Sequence, residues 1–121
     1  MSTPPPEQRL AQFVRLNPSA LKKYKEMHAN VWPEVLLAIR ECNIRDYSIF
    51  YDDISGVLFA TFKYVGSDYK ADMQKMAGYE KVREWWDITD GMQESPVIGA
   101  VSSKEGPGWW KGMEEVFYMK E

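Results

Sequence analysis

The chain holds one histidine, His28, with Tyr24 four residues before it and the Trp32-Pro33 pair beginning four residues after it. On a helix, a spacing of four stacks side chains on one face, one turn apart. A phenol, an imidazole and an indole would then share a stripe that ends at a proline. Imidazole is the side chain whose unperturbed pKa lies nearest neutrality, so acid/base chemistry at pH 7 is best sought at His28. Ordinary packing is the competing explanation, since a lone histidine or a tyrosine on an apolar face is commonly a satisfied structural residue.

Tryptophan is the second signal. Trp85 and Trp86 are consecutive, and neighbours on a helix diverge by about 100°, so both cannot enter one core face. The other indole is then available for the C–H face of a sugar ring or for a subunit interface. Trp109-Trp110 lies among Gly106, Pro107, Gly108 and Gly112, where an interface or a lid is expected rather than core. Asp52-Asp53 and Glu114-Glu115 could pair as acid and base, but adjacent acids in turns are usually solvated. No glycine-rich phosphate loop and no Ser/His/Asp or Cys/His set can be assembled. Proton transfer in an aromatic pocket is the chemistry left.

Composition narrows the partners. With 15 basic against 18 acidic residues and no Lys/Arg run, the phosphate contacts of nucleic-acid binding are not supplied. The one cysteine, Cys42, has no partner for an internal disulfide, and one Cys with one His makes none of the usual zinc or haem ligand sets, so no such metal site is expected. Residues 1–8 read as a flexible tail without the charge and apolar run of a signal peptide, and no segment is apolar enough to span a membrane. A cytoplasmic protein is expected, with residues 9–121 as one domain.

Elements that could position these residues follow from periodicity. Arg9 to Leu16 reads as a strand. After Asn17-Pro18-Ser19, Leu21, Tyr24, His28, Val31 or Trp32, Val35 and Ile39 mark one helical face, with a kink or restart at Pro33 that frees the Ala29 carbonyl for a ligand. Asp46 to Asp52 and Val57 to Val65 form a hairpin across Asp53-Ile54-Ser55-Gly56, apolar on both faces. Ser67, as N-cap, to Met76 and then Glu80 to Met92 are helical. Ser95 to Gly112 is a long loop, and Glu115 to Met119 is a last strand. The order β-α-β-β-α-β is the ferredoxin-like α+β plan with an antiparallel sheet. A sheet apolar on both faces needs a second cover, which a chain this short must find in another subunit.

In their order and spacing these pieces resemble the L-rhamnose mutarotase family: Asn17-Pro18, Tyr24 and His28, Trp32-Pro33-Glu34, Tyr47, Leu58-Phe59-Ala60, Trp85-Trp86, Pro96, Ser102-Ser103 and Glu115-Val116-Phe117-Tyr118. The resemblance implies a homodimer of dimeric α/β-barrel type that interconverts the anomers of a free monosaccharide at C1 without a cofactor. It further implies His28 as proton donor and Tyr24, Tyr47, Trp85 and Trp86 as sugar contacts. On this expectation protonated His28 serves the ring oxygen, Tyr24 orients or relays the second proton, and a tryptophan holds the C6 methyl. Departures are Ala29-Asn30 after the histidine, Asp46 before Tyr47, and an insertion at Gly106 to Gly112; the first two are expected to touch the pocket. The alternatives are a cofactor-free dimeric oxygenase of the same fold and a non-catalytic sugar-binding module.

Overall fold

The computed structural model describes residues 7–121. Of the expected N-terminal tail, residues 1–6 lie outside the described part, and Gln8 already belongs to the first strand. Strand β1 (Gln8–Leu16) leads through a short 3-10 turn at Pro18–Ala20 into helices α1 (Leu21–Ala29) and α2 (Pro33–Glu41). Strands β2 (Ile44–Asp52) and β3 (Val57–Tyr64) form the hairpin. Helices α3 (Tyr69–Ala77) and α4 (Glu80–Asp90) precede two short strands, β4 (Gln93–Glu94) and β5 (Lys111–Met113). The sheet runs β2-β3-β1-β4, with antiparallel pairing throughout, and β5 joins β1 beside β4. This is an α+β fold in the ferredoxin-like strand order, with each helical crossover divided in two.

The division of the first crossover follows from local chemistry. Proline has no N–H to donate and fits the first turn of a helix, where that donor is unpaired anyway. Helix α1 therefore stops at Ala29, and α2 starts afresh at Pro33, with the N–H groups of Val35 and Leu36 both donating to the Trp32 carbonyl. In the second crossover Asp68, not the expected Ser67, caps α3 by accepting from the Ala71 N–H at 3.1 Å. Asp68 is one residue nearer the first turn, so its carboxylate reaches the free N–H groups.

Every second residue of β3, Leu58, Ala60, Phe62 and Tyr64, is buried under the helices. Two core clusters sit on that face. One joins Ala38, Cys42, Ile44, Phe62, Tyr64, Met76 and Val82; the other joins Val14, Leu16, Tyr24, Leu58 and Met92. Fully burying side chains of this size stabilises by roughly 1.5–3 kcal/mol each. The opposite face carries Phe13 and Phe59 half-buried and Phe50 exposed, as the two-sided pattern of the hairpin implied.

Strand β2 begins two residues earlier than expected and contains an irregularity. Ile44 pairs with Tyr64 and Ile49 with Ala60, so both share the helix-side face although their separation is odd. Alternation would put them on opposite faces. A bulge between Arg45 and Ser48 absorbs the extra residue, with Asp46 at φ 50°. That step lets Ile44 enter the core and also turns Tyr47 inward, where it stacks on Phe62 at 5.5 Å.

At the C-terminus the expected strand Glu115 to Met119 is not formed. The residues paired with β1 are Lys111–Met113, opposite Ala11 to Phe13. Strand β4 covers only Arg15 and Leu16, which leaves that stretch of the edge open to the returning loop. Beyond it the chain runs extended with Val116, Phe117 and Met119 largely exposed, tethered where Arg9 meets Glu115 at 3.0 Å and lies over the Tyr118 ring.

Tyr64 ties the hairpin to the second crossover. Its hydroxyl donates to Asp72 at 2.5 Å and accepts from the Asp68 N–H at 3.0 Å, and Asn43 donates to the same carboxylate oxygen of Asp72. Gly66 passes over this cluster so closely that a Cβ there would run into the Tyr64 ring and hydroxyl. Gly66→Ala should therefore destabilise the fold by about 1–3 kcal/mol, seen as a lowered midpoint in urea titration.

Candidate active site

Between the helix-side face of the sheet and the helices lies a cavity of about 640 Å³. Residues of both core clusters line it, so it divides the core. Tyr24, His28, Tyr47, Trp85 and Trp86, singled out from sequence, all line this one space. Tyr24 and His28 come from α1, Tyr47 from the bulge of β2, and the two indoles from α4.

His28 is held at one nitrogen. Its Nδ1 lies 2.8 Å from the Tyr24 carbonyl oxygen one turn back. A carbonyl can only accept, so Nδ1 carries the proton and a neutral ring keeps its lone pair on Nε2. The ring is fixed from both sides, by Tyr24 at 4.1 Å between centroids and by the edge-on indole of Trp85 at 5.3 Å, which Trp32 buttresses at 5.2 Å. Burial lowers the His28 pKa from its ordinary 6.5, and the bond to the Tyr24 carbonyl opposes that without reversing it. The neutral imidazole is therefore favoured at pH 7.

The two phenols are shifted the other way. Tyr24 is buried, and desolvation, then Tyr47, raise its pKa, while a hydrogen bond from Gln93 acts against the rise. Tyr47 keeps 39% of its surface accessible through the open side, yet its hydroxyl end sits near Tyr69 and Gln12 and is pushed up to about 12, chiefly by desolvation. Both stay protonated at neutral pH and can donate.

Trp85 is buried and Trp86 half-buried, and both face the cavity. They diverge along α4 as the sequence implied, but the space is wide enough to be lined by both. Trp109 and Trp110 also line it and pack against the second core cluster. Within this chain they form part of the cavity wall. The preceding loop is pinned: Asp90 accepts from the Ser103 N–H at 2.8 Å and from its hydroxyl at 2.5 Å, Lys104 pairs with Asp87 at 2.6 Å, and Ser95 donates to the Trp109 carbonyl.

Other sequence expectations move. Ala29, Asn30 and Asp46, expected near the pocket, are not among the residues that line the cavity, and Asp46 pairs with Lys63 at 3.3 Å. Asp52 is occupied by its own turn, accepting from Ser55 at 2.6 Å, and Glu115 by Arg9. Sequence reasoning missed Gln12, Gln93, Tyr69 and Met73, which reach the cavity from β1, β4 and α3. Isolated amides carry no periodic signal, and only strand pairing brings them together. Among the described residues no group of three or more His, Cys, Asp and Glu is placed to hold a metal, and no helix is long and apolar enough to cross a membrane.

The ring-lined cavity of this antiparallel α+β fold thus brings together an imidazole favoured in its neutral form and two protonated phenols, groups chemically able to accept and donate protons. The sequence matches the profile described as L-rhamnose mutarotase over residues 9–119. It is 36% identical to the L-rhamnose mutarotase of Formosa agariphila over 93% of this chain and 99% of that one, and 34% identical to that of Phocaeicola vulgatus over 86% and 90%. A crystal structure of the Formosa agariphila L-rhamnose mutarotase superposes with a TM-score of 0.70 at 32% identity, covering 93% of this chain and 99% of that chain. The chain belongs to the L-rhamnose mutarotase family, isomerases that interconvert the anomers of L-rhamnose.

Because the chain has one histidine, its imidazole C–H resonance is unambiguous. Its titration midpoint should fall below 6.5 in the folded protein. Between that midpoint and 6.5 the unfolded chain binds more protons, so this group's share of stability should be complete above pH 6.5 and be lost as pH falls through the folded value, a trend denaturant titrations from pH 7.5 to 5 would register.

Proposed function

We propose that the cavity holds L-rhamnose, or a closely similar 6-deoxy sugar, with His28 and Tyr24 moving the protons of ring opening and closure. The observation that carries this reading is the pairing of an imidazole, its Nδ1 engaged by the Tyr24 carbonyl at 2.8 Å, with a phenol ring tilted against it at 4.1 Å between centroids, both on the cavity. The indoles of Trp85 and Trp86 offer flat apolar surface to ring C–H groups and the C6 methyl, and Tyr47 offers a hydroxyl to the sugar.

In the opening step Nε2 of neutral His28 takes the proton of the anomeric hydroxyl. The C1–O1 bond becomes a carbonyl, the C1–O5 bond breaks with its electron pair on O5, and O5 takes the Tyr24 proton. Rotation about C1–C2 presents the other carbonyl face. O5 then attacks C1, its proton returns to Tyr24, and the imidazolium gives its proton to O1. Desolvation of His28 favours this order, so the donor role falls to the imidazolium formed during opening instead of to a ring already protonated at rest.

The assembly we propose is a homodimer of dimeric α/β-barrel type. The half-covered outer face with Phe13, Phe50 and Phe59 and the extended tail with Val116, Phe117 and Met119 offer apolar surface that a second copy would bury. A reducing, cytoplasmic setting suits the single buried thiol of Cys42.

Saturation transfer between the anomeric protons of equilibrated L-rhamnose tests the reaction. Exchange should rise with the enzyme and fall by about 10²–10⁴-fold in His28→Ala with the fold retained; parental exchange in a folded His28→Ala protein would sink the assignment. The catalysed rate should decline as pH falls through the lowered folded pKa of His28, whereas a donor protonated at rest would make the rate decline as pH rises through that pKa. Sedimentation at micromolar concentration should give the mass of two chains, and a monomer would remove the dimer from the proposal.

A further inference from the structure

A three-residue relay runs from the Gly106 to Gly112 stretch into the cavity. The Trp109 indole Nε1 lies 2.9 Å from Gln93 Oε1, and Gln93 Nε2 lies 3.3 Å from the Tyr24 hydroxyl oxygen. An indole N–H only donates, so the amide atom facing it must be the oxygen. The amide nitrogen then necessarily faces Tyr24, and it too only donates. The phenol oxygen is therefore the acceptor, and its own proton must point elsewhere. No other hydrogen-bond partner of this hydroxyl is found among the described residues, and Tyr24 lines the cavity.

We infer that Gln93 is a positioning residue which, locked in one amide orientation by Trp109, directs the Tyr24 hydroxyl proton into the sugar cavity. The inference rests on the proposed role of Tyr24 as the acid of ring opening. Both ends of the relay are rigid. Gln93 is 7% exposed, its backbone pairs with Leu16 in the sheet, and the preceding Met92 carbonyl accepts from the Asn17 N–H at 2.9 Å. Trp109 is held by the Ser95 hydroxyl at its carbonyl, in a loop pinned at Ser103 by Asp90. Without the indole bond the amide could turn over, present its oxygen to Tyr24 and draw the phenol proton away from the sugar. The tryptophan stretch thereby acts on the reaction without needing to touch O1 or O5.

Gln93→Glu makes that turned-over state permanent, since a carboxylate accepts from the indole and from the phenol alike. Anomer exchange should fall about tenfold or more, in kcat more than in KM, while Trp109→Phe should give a smaller loss of the same kind. In a Tyr24→Phe background, itself slowed by about 10²-fold, adding Gln93→Glu should change little, because residues acting through one group are not additive. Gln93→Leu, which keeps the site uncharged, should behave in the same way in both backgrounds. An undiminished effect of Gln93→Glu and Gln93→Leu in the Tyr24→Phe protein would overturn the inference. So would parental rates in both Gln93 variants when Tyr24→Phe is slow, and the proposed function would then stand. A fully active Tyr24→Phe protein would overturn the inference together with the assigned role of Tyr24, with saturation transfer still reporting whether anomers are exchanged at all.

Discussion

Tyr24 joins the core to the cavity through one packing contact and two hydrogen bonds of a single residue. Its ring is part of a buried cluster, its backbone carbonyl holds the His28 imidazole, and its hydroxyl accepts from Gln93. The helical spacing of four makes the first two compatible, because the carbonyl of one turn and the side chain of the next lie on the same stripe. Packing Tyr24 against Val14, Leu16, Leu58 and Met92 therefore places the imidazole as well. The break before Pro33 supports this arrangement by ending α1 just after His28 and letting Trp32 swing under Trp85.

Burial and chemistry are coupled by the same geometry. The surroundings that fix the rings also exclude water, and exclusion of water moves the imidazole pKa down and the phenol pKa values up. A neutral base beside protonated acids results without any charged residue in the immediate cluster. On the proposed reading, such a site would polarise a sugar hydroxyl by hydrogen bonds alone, which suits an uncharged substrate with weakly acidic protons. The carboxylates of the chain are spent elsewhere, Asp72 on the Tyr64 hydroxyl, Asp90 on the loop and Asp52 on its own turn.

The sheet is used on both faces in different ways. Its helix side carries the divided core and the cavity, while its outer side and the tail leave Phe50, Val116, Phe117 and Met119 accessible. The bulge at Asp46 and Tyr47 belongs to the first use. It costs one regular ladder step and places two rings of β2 and β3 in register under the helices.

Periodicity and residue type by themselves determined the strand order of types, the helical face bearing Tyr24 and His28, the restart at Pro33, the two-sided hairpin and the divergence of Trp85 and Trp86. These are local consequences of side-chain spacing and of missing or fixed backbone groups, and they are the same in any context. The bulge, the three-residue β5, the capping by Asp68, the use of Trp109 and Trp110 as a wall and the arrival of Gln93 beside Tyr24 were decided only in three dimensions. Each depends on partners far away in sequence: Gln93 meets Tyr24 across 69 positions, and β5 finds the stretch of β1 that β4 leaves open. A single amide or a tryptophan in a glycine-rich loop has no period to read. Its role arises when strand pairing and packing bring a donor and an acceptor within reach in a space where water no longer competes.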